Sequence, residues 1–314
     1  MSDDRLTAAR VRAQLDAILI DNPRARHAHG VFDFLREHGR LQPGGAKRCV
    51  LLTGPSQSGK STILKPYAAK LNTEEALAAN RIPVLHVDLK PAITTKGLAQ
   101  NILDAIGRHG FTTGSQNGSE SVLLSRVDRL LAAAGVELLV LDEFHHIQNI
   151  ESRKTAWLVA ETIKLFLIEG KCPVVLSGIE RAKTPFLENR QLSQRAEPVI
   201  ELHRLSVEVQ EDRALFAEFL KAYVAEVEIV SCLTNVRRLL DAETAACIHE
   251  VSQGVLGAAC NLIKAAVCDA IASGRDHLAR DDFSTVTDRY FVALGLHPRN
   301  PFREGYVQLL GRAA

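Results

Sequence analysis

Between residues 49 and 202 five short aliphatic runs recur: CVLLT (49–53), PVLHVDL (83–89), VELLVLD (136–142), PVVLSG (173–178) and PVIEL (198–202). The stretches between them carry apolar residues three or four apart, as in Leu98, Ile102 and Ile106 or in Leu123, Val127, Leu130, Leu131 and Ala134. That is the period of one helix face. A strand that is apolar throughout has no side to offer to water, so it needs cover on both faces. Alternating strands and helices provide that cover as a parallel sheet between helical layers. The pattern predicts an α/β fold with a parallel sheet flanked by helices.

After residue 205 the strand pattern stops. Leu215, Phe219, Tyr223 and Val227 make one helical stripe, Ala245, Ile248 and Val251 a second, and Leu262, Ile263, Ala266, Val267 and Ala270 a third. Asp281 and Asp282 are placed to cap a last helix through Phe283, Val286 and Tyr290. Ahead of the strands, residues 1–48 read as helices broken at Asn22-Pro23 and again at GRLQPGGAKR, where Pro43, Gly44 and Gly45 mark a linker. The expected organisation is an N-terminal helical arm (1–48), an α/β domain (49–205), a smaller α-helical domain (206–296) and a tail (297–314). In the tail Phe302, Tyr306, Leu309 and Leu310 offer anchors. A chain of 314 residues is long enough for two such units.

Charge is nearly balanced at +1, so any contact with nucleic acid must come from a local basic patch. The N-terminus, MSDDRLTAAR, is acidic and polar, unlike a secretory leader, and no apolar run nears the roughly 18 residues that span a bilayer. A soluble, cytoplasmic protein with no membrane partner is expected. The six cysteines form no C-x-x-C pair and read as small core residues of a reducing compartment. The pairs His27/His29 and His145/His146 are not read as metal sites, because an H-x-H alone is common on loops and helix ends.

The first aliphatic run leads into GPSQSGKST, which fits G-x-x-x-x-G-K-[ST] with Gly54, Gly59, Lys60 and Ser61. Such a loop turns its backbone N–H groups around phosphate, and the helix that follows adds its positive end. Gly54, Pro55, Ser56, Gln57, Ser58, Gly59, Lys60, Ser61 and Thr62 are therefore the candidate nucleotide-binding residues, with Lys60 reaching the β- and γ-oxygens and Ser61 ligating Mg2+. Pro66, inside the helix KSTILKPYAAKL, is expected to kink it or end it early. The run LLVLDE supplies the other half of the site. Asp142 emerges at a strand tip to hold Mg2+ through water, and Glu143 is placed to polarise an attacking water. A kinase for a small substrate has no need of that glutamate, whereas a hydrolase does. Ser177, at the end of PVVLSG, is placed to sense the γ-phosphate, and Arg190 or Arg195, before the last strand, to reach a neighbouring subunit's nucleotide. Guanine-reading loops carry N-K-x-D, which this chain lacks, so ATP is the expected nucleotide.

Taken together, GPSQSGKST, VLHVDL, LLVLDEFHHI, VVLSGIE and RQLSQR, followed by the helical segment, resemble the AAA+ ATPases over roughly residues 25 to 300. More narrowly they are similar to the TniB/TnsC-type ATP-binding regulators of DNA transposition, with LDEFHHI followed by SGIE as the narrower match. The resemblance implies a P-loop NTPase with a C-terminal helical lid, hydrolysing ATP with Mg2+. Asp142 and Glu143 would be the Walker B pair, Ser177 sensor 1, and Arg195 the finger acting in trans. GVLGAACNLIKAA is similar to the sensor-2 helix but has no arginine where many members place one, which implies slow, switch-like hydrolysis. The same resemblance implies assembly with ATP into rings or helical filaments on double-stranded DNA, and partnership with a DDE transposase and a target-selection protein. Lys90, Thr95, Lys96 and Arg108 are the candidate DNA contacts. A replication initiator or helicase loader, and a protein-binding ATP switch, stay open as alternatives.

Overall fold

The computed structural model describes residues 2–91, 93–147 and 153–306. Helix α1 (Ser2–Asp16) stops short of Asn22, and Pro23 opens α2 (Pro23–Leu41), a first-turn position where its missing N–H costs no hydrogen bond. Lys47 closes the far end of α2 by donating from Nζ to the carbonyls of Gly39 at 2.7 Å and Gln42 at 2.5 Å. There follow β1 (Cys49–Thr53), α3 (Lys60–Leu71), α4 (Glu74–Ala78), β2 (Val84–Asp88), α5 (Thr95–Arg108) and α6 (Glu120–Ala133). The α/β part ends with β3 (Leu138–Asp142), α7 (Arg153–Ile168), β4 (Val174–Gly178), α8 (Lys183–Glu188), α9 (Arg190–Ser193) and β5 (Ile200–Glu201). Thr94 and Ser119 cap α5 and α6 by accepting the N–H groups of Gly97 and Val122. The last run, PVIEL, yields only two strand residues, because β5 lies at the sheet edge and Pro198 has no N–H to extend its ladder.

All the pairings are parallel, in the order β2-β3-β4-β1-β5. Every residue of β1, β3 and β4 is buried, as expected of strands covered on both faces, and exposed positions appear only on the edge strands β2 and β5. Alternation divides the side chains between two cores. Leu51, Leu139, Leu141, Val174 and Leu176 pack with α5, α6 and α7, while Val50, Leu52, Val140 and Val175 pack with α2 and α3. Pro66 neither ends nor shortens α3, which runs on to Leu71. Ile63 and Leu64 before the proline and Tyr67 and Ala68 after it are buried in one core, and Tyr67 donates to Asp33 Oδ1 on α2 at 2.7 Å. Packing on both sides outweighs the single helical hydrogen bond that proline removes.

By their internal contacts the described residues form two compact units, one of residues 23–202 and the other of residues 2–22 with 203–306. The two N-terminal helices thus divide between the units. In the second unit α1 joins α10 (Gln210–Ser231), α11 (Val236–Leu239), α12 (Ala242–Ser252), α13 (Leu256–Ala272), α14 (Arg280–Val286) and α15 (Pro301–Glu304). Helix α13 supplies the middle of this core with Leu262, Ile263, Ala266, Val267 and Ala270, as its spacing predicts. On α10 the buried line runs through Phe216, Leu220, Tyr223 and Val227, with Leu215 and Phe219 at its margin, because α1, α12 and α13 cover a face turned slightly from the expected one. Asp282 accepts the Ala279 N–H at 2.8 Å at the start of α14. Phe302 stacks on Phe283 with ring centroids 5.6 Å apart, and Tyr306 packs at the margin of the same core. The expected anchors Leu309 and Leu310 lie outside the described residues. Among the described residues no single helix is long and apolar enough to cross a membrane.

Phe32 is fully buried between α2, Tyr67 and the sheet. Phe32→Ala should lower the stability of the α/β unit by about 3–5 kcal/mol, the range for emptying a large core site. A urea titration followed by circular dichroism checks this, and a loss below about 1 kcal/mol would show that α2 is not integral to the unit.

Candidate nucleotide-binding site

Because β4 lies between β1 and β3, the carboxyl ends of these three strands meet at one edge of the sheet, the usual place for a ligand in an open parallel sheet. The register pairing Thr53 with Gly178 and Leu141 with Leu176 brings the start of the phosphate loop, Ser177 and Asp142 to nearly one level. The Gly54 N–H donates to the Gly178 carbonyl at 3.3 Å and ties the loop to β4.

The loop then turns on two left-handed residues, Gln57 at φ 64° and Gly59 at φ 95°. Gly54 has no room for a side chain, since a Cβ there would lie 2.7 Å from both the Leu202 carbonyl oxygen and Ser58 Oγ. Gly59 occupies the N-cap of α3 without any side-chain cap, which leaves the first N–H groups of the helix facing the loop. Lys60, the first residue of α3, is 7% exposed, and its ammonium donates to the carbonyls of Gly54 and Pro55, each at 2.9 Å. Burial lowers the Lys60 pKa, and the charges of Glu143 and Asp142 work against that fall. Ser61 Oγ stands 3.4 Å from Asp142 Oδ2, so the hydroxyl and carboxylate expected to hold magnesium are brought together.

Asp142 is 1% exposed and accepts the Glu143 N–H on Oδ1 at 2.9 Å. On its other side His86, from the middle of β2, places Nε2 3.4 Å from Oδ2. Burial alone would raise the pKa of Asp142, but the His86 ring, the Ser177 hydroxyl and the Glu143 N–H together hold it below its usual 3.8. Ser177 Oγ is buried beside this carboxylate without an aligned hydrogen bond, and His86 Nε2 and His145 Nδ1 are likewise buried and unaligned. Three polar atoms without aligned partners, a buried ammonium held by two neutral carbonyls and the Ser58 hydroxyl, and a hydroxyl facing a carboxylate form a donor-rich site that suits a magnesium-bound polyphosphate.

The remaining candidates lie elsewhere. Arg190 is exposed on α9, and Arg195 is half-buried just after it, with its backbone paired to Cys49 at the amino end of β1. Among the described residues the guanidinium of Arg195 makes no hydrogen bond or ion pair. Lys90, Lys96 and Arg108 are exposed, Lys90 stands 3.7 Å from Asp104, and Thr95 is buried at the start of α5. Lys96 and Arg108 sit near opposite ends of α5, about 18 Å apart along its axis, too far to share a phosphate. On α13 the one basic residue, Lys264, is bonded to Asp16 of α1 at 2.8 Å. Sequence reasoning passed over His86 and gave His145 no role at the site. The signal for His86 was a polar residue at an inward position of VLHVDL, paired in register with the apolar Val140.

Strand order, loop and acidic strand tip together define a P-loop fold of the AAA+ class. The chain belongs to the TniB family, and the family description "Bacterial TniB protein" matches residues 12–205. No curated protein sequence matches it. Among solved structures the ORC2 protein of Aeropyrum pernix, in ADPNP and ADP complexes, is similar with a TM-score of 0.61 at 17% identity, over 87% of this chain and 69% of that one. Cdc6p of Pyrobaculum aerophilum gives 0.58 at 13% identity over 87% and 69%. ORC1 of Aeropyrum pernix, in complex with DNA, gives 0.55 at 13% identity over 85% and 64%.

A carboxylate whose pKa is lowered by folding contributes stability that is fully present above its unfolded value and is lost as pH falls through its folded value. The stability difference between wild type and Asp142→Asn should therefore stay constant from about pH 7 to about pH 5 and shift against the wild type below 3.8. Urea midpoints measured across that range check the sign, and a shift in favour of the wild type on acidification would contradict it.

Proposed function

We propose that this protein is an ATP-dependent regulator of DNA transposition that assembles on double-stranded target DNA, engages a DDE transposase and uses ATP hydrolysis as its switch. The observation that carries the ATP reading is the pairing of the Lys60 loop with Asp142 through Ser61, 3.4 Å apart across two elements that are 81 residues apart in sequence. In this reading the N–H groups around Gly59 and the Lys60 ammonium bind the β- and γ-phosphates, and Ser61 and Asp142 hold Mg2+, which neutralises charge on the phosphate oxygens when bound. Glu143 takes a proton from the attacking water, and Ser177 orients water or the γ-phosphate.

The position of Arg195 supports assembly. Its backbone lies at the amino end of β1, five residues before the loop, so about 17 Å of strand separates it from Gly54. A side chain of about 7 Å cannot cover that distance, so a nucleotide phosphate that Arg195 meets belongs to another subunit's site. The DNA and transposase partners rest on the family and on the resemblance of LDEFHHI and SGIE, with Lys90, Lys96 and Arg108 as exposed candidates for phosphate contact. A replication-initiator-like role is the second reading, favoured by the similarity to ORC2 and Cdc6p.

Electron microscopy of the protein with double-stranded DNA, with and without a non-hydrolysable ATP analogue, tests the proposal. Ordered arrays should need both ligands and should be lost in Lys60→Ala, which calorimetry should show binding ATP at least about a hundredfold more weakly. Arrays that form without nucleotide, or unaltered binding by Lys60→Ala, would end the proposal. Recruitment of a helicase in place of a transposase would favour the second reading.

The trans role of Arg195 predicts complementation. Arg195→Ala should bind ATP normally and hydrolyse it roughly a thousandfold more slowly. Mixed with Lys60→Ala it should regain part of its activity, because some interfaces then join an intact Lys60 site to an intact Arg195. A steady-state phosphate-release assay on the mixture reads this, and simple averaging of the two rates would rule it out.

A further inference from the structure

Two adjacent histidines follow the acidic pair, and each engages a different strand end. His146 Nδ1 lies 2.8 Å from the Leu89 carbonyl oxygen, just past β2. His145 lies against the end of β4, where a Cβ on Gly178 would stand 3.0 Å from the Ala182 Cβ, 3.2 Å from the His145 backbone nitrogen and 3.3 Å from its Nδ1. The two rings are 4.4 Å apart between centroids, and His145 Nδ1 is 3.2 Å from Glu143 Oε2. Glu143 itself sits at φ 58°, a left-handed conformation that a residue with a Cβ keeps only when its surroundings hold it there. Its charge opposes the fall in the Lys60 pKa, and its Oε2 lies toward the His145 ring.

We infer that His145 is a positioning residue for Glu143, holding the carboxylate where it meets the attacking water and fixing that place against the end of β4. The inference rests on the proposed ATP hydrolysis. In that step the water oxygen bonds to the γ-phosphorus, its proton passes to Glu143, and the bond to the ADP oxygen breaks. His145 neither gains nor loses a proton. Its contribution is to restrict a flexible glutamate to one direction, and Gly178 is the position that leaves room for the ring.

The test compares ATP turnover and nucleotide affinity in His145→Ala, His145→Asn, Gly178→Ala and the double variant His145→Ala/Gly178→Ala. His145→Ala should lower kcat roughly tenfold with KM and calorimetric ATP affinity within about twofold of wild type. Asparagine places a polar atom near the position of Nδ1 and should restore most of the loss. Gly178→Ala should displace the ring and lower kcat, and the double variant should fall no further than the worse single one. Should His145→Ala fail to fold, His145→Asn with wild-type kcat and Gly178→Ala with a lowered one give the same answer. Wild-type kcat in His145→Ala, KM rising in step with the loss, no rescue by asparagine, or multiplying losses in the double variant would each overturn the inference. An active wild type with an unaffected His145→Ala defeats this inference alone, whereas a wild type that hydrolyses no ATP defeats the reading beneath it.

Discussion

The site depends on β4 lying between β1 and β3 in parallel register. That arrangement sets the end of the glycine loop, a serine and an aspartate side by side, although they come from segments far apart in sequence. All fifteen residues of the three strands are buried, so a slip of one residue would turn each strand's core side chains to the wrong face and move Asp142 away from Ser61. Burial of the strands and the geometry of the loop are thus one constraint. The hydrophobic drive that sets the register also places the hydroxyl of Ser61 against the carboxylate of Asp142.

Within the α/β unit much of this was legible in the sequence. The continuous aliphatic runs located each strand to within two residues, the period of three to four located most of the helix faces, and G-x-x-x-x-G-K-S located the loop, because these features are local and their physics is local. What local pattern does not carry is pairing order, which depends on how the whole set of helices covers the sheet. It also does not show that α1 and α2, adjacent in sequence, belong to different units. The early end expected at Pro66 does not occur, because helix propensity counts one lost hydrogen bond and is blind to Tyr67 reaching Asp33 across the core. On α10 Tyr223 and Val227 are buried as expected, but Phe216 and Leu220 take the places given to Leu215 and Phe219, since neighbouring helices, and not the helix itself, decide which edge of a broad apolar stripe is covered.

The polar residues around the loop show a second limit. Asp142 and Ser61 announce themselves by motif, whereas His86 is a single polar residue in an aliphatic run and His145 one of an adjacent histidine pair. Only the folded chain shows that their ring nitrogens turn toward the two carboxylates. The helical unit gives a converse case. Its missing arginine was visible in sequence, but not that Lys264, the cation on that helix, is committed to Asp16. An ion pair with one side chain 13% exposed orients that lysine toward α1 and away from other duties.

Helix α1 belongs to the same body as residues 203–306, and nearly two hundred residues lie between the two contributions to that core. During synthesis α1 leaves the ribosome long before α10 and α13, against which it packs. Its partly apolar face must therefore wait, unpaired or shielded by a chaperone, while the sheet assembles behind it. Completion of the helical core then becomes an event that registers arrival of residues 203–306, and a nascent protein truncated after β5 would present a folded sheet with α1 orphaned.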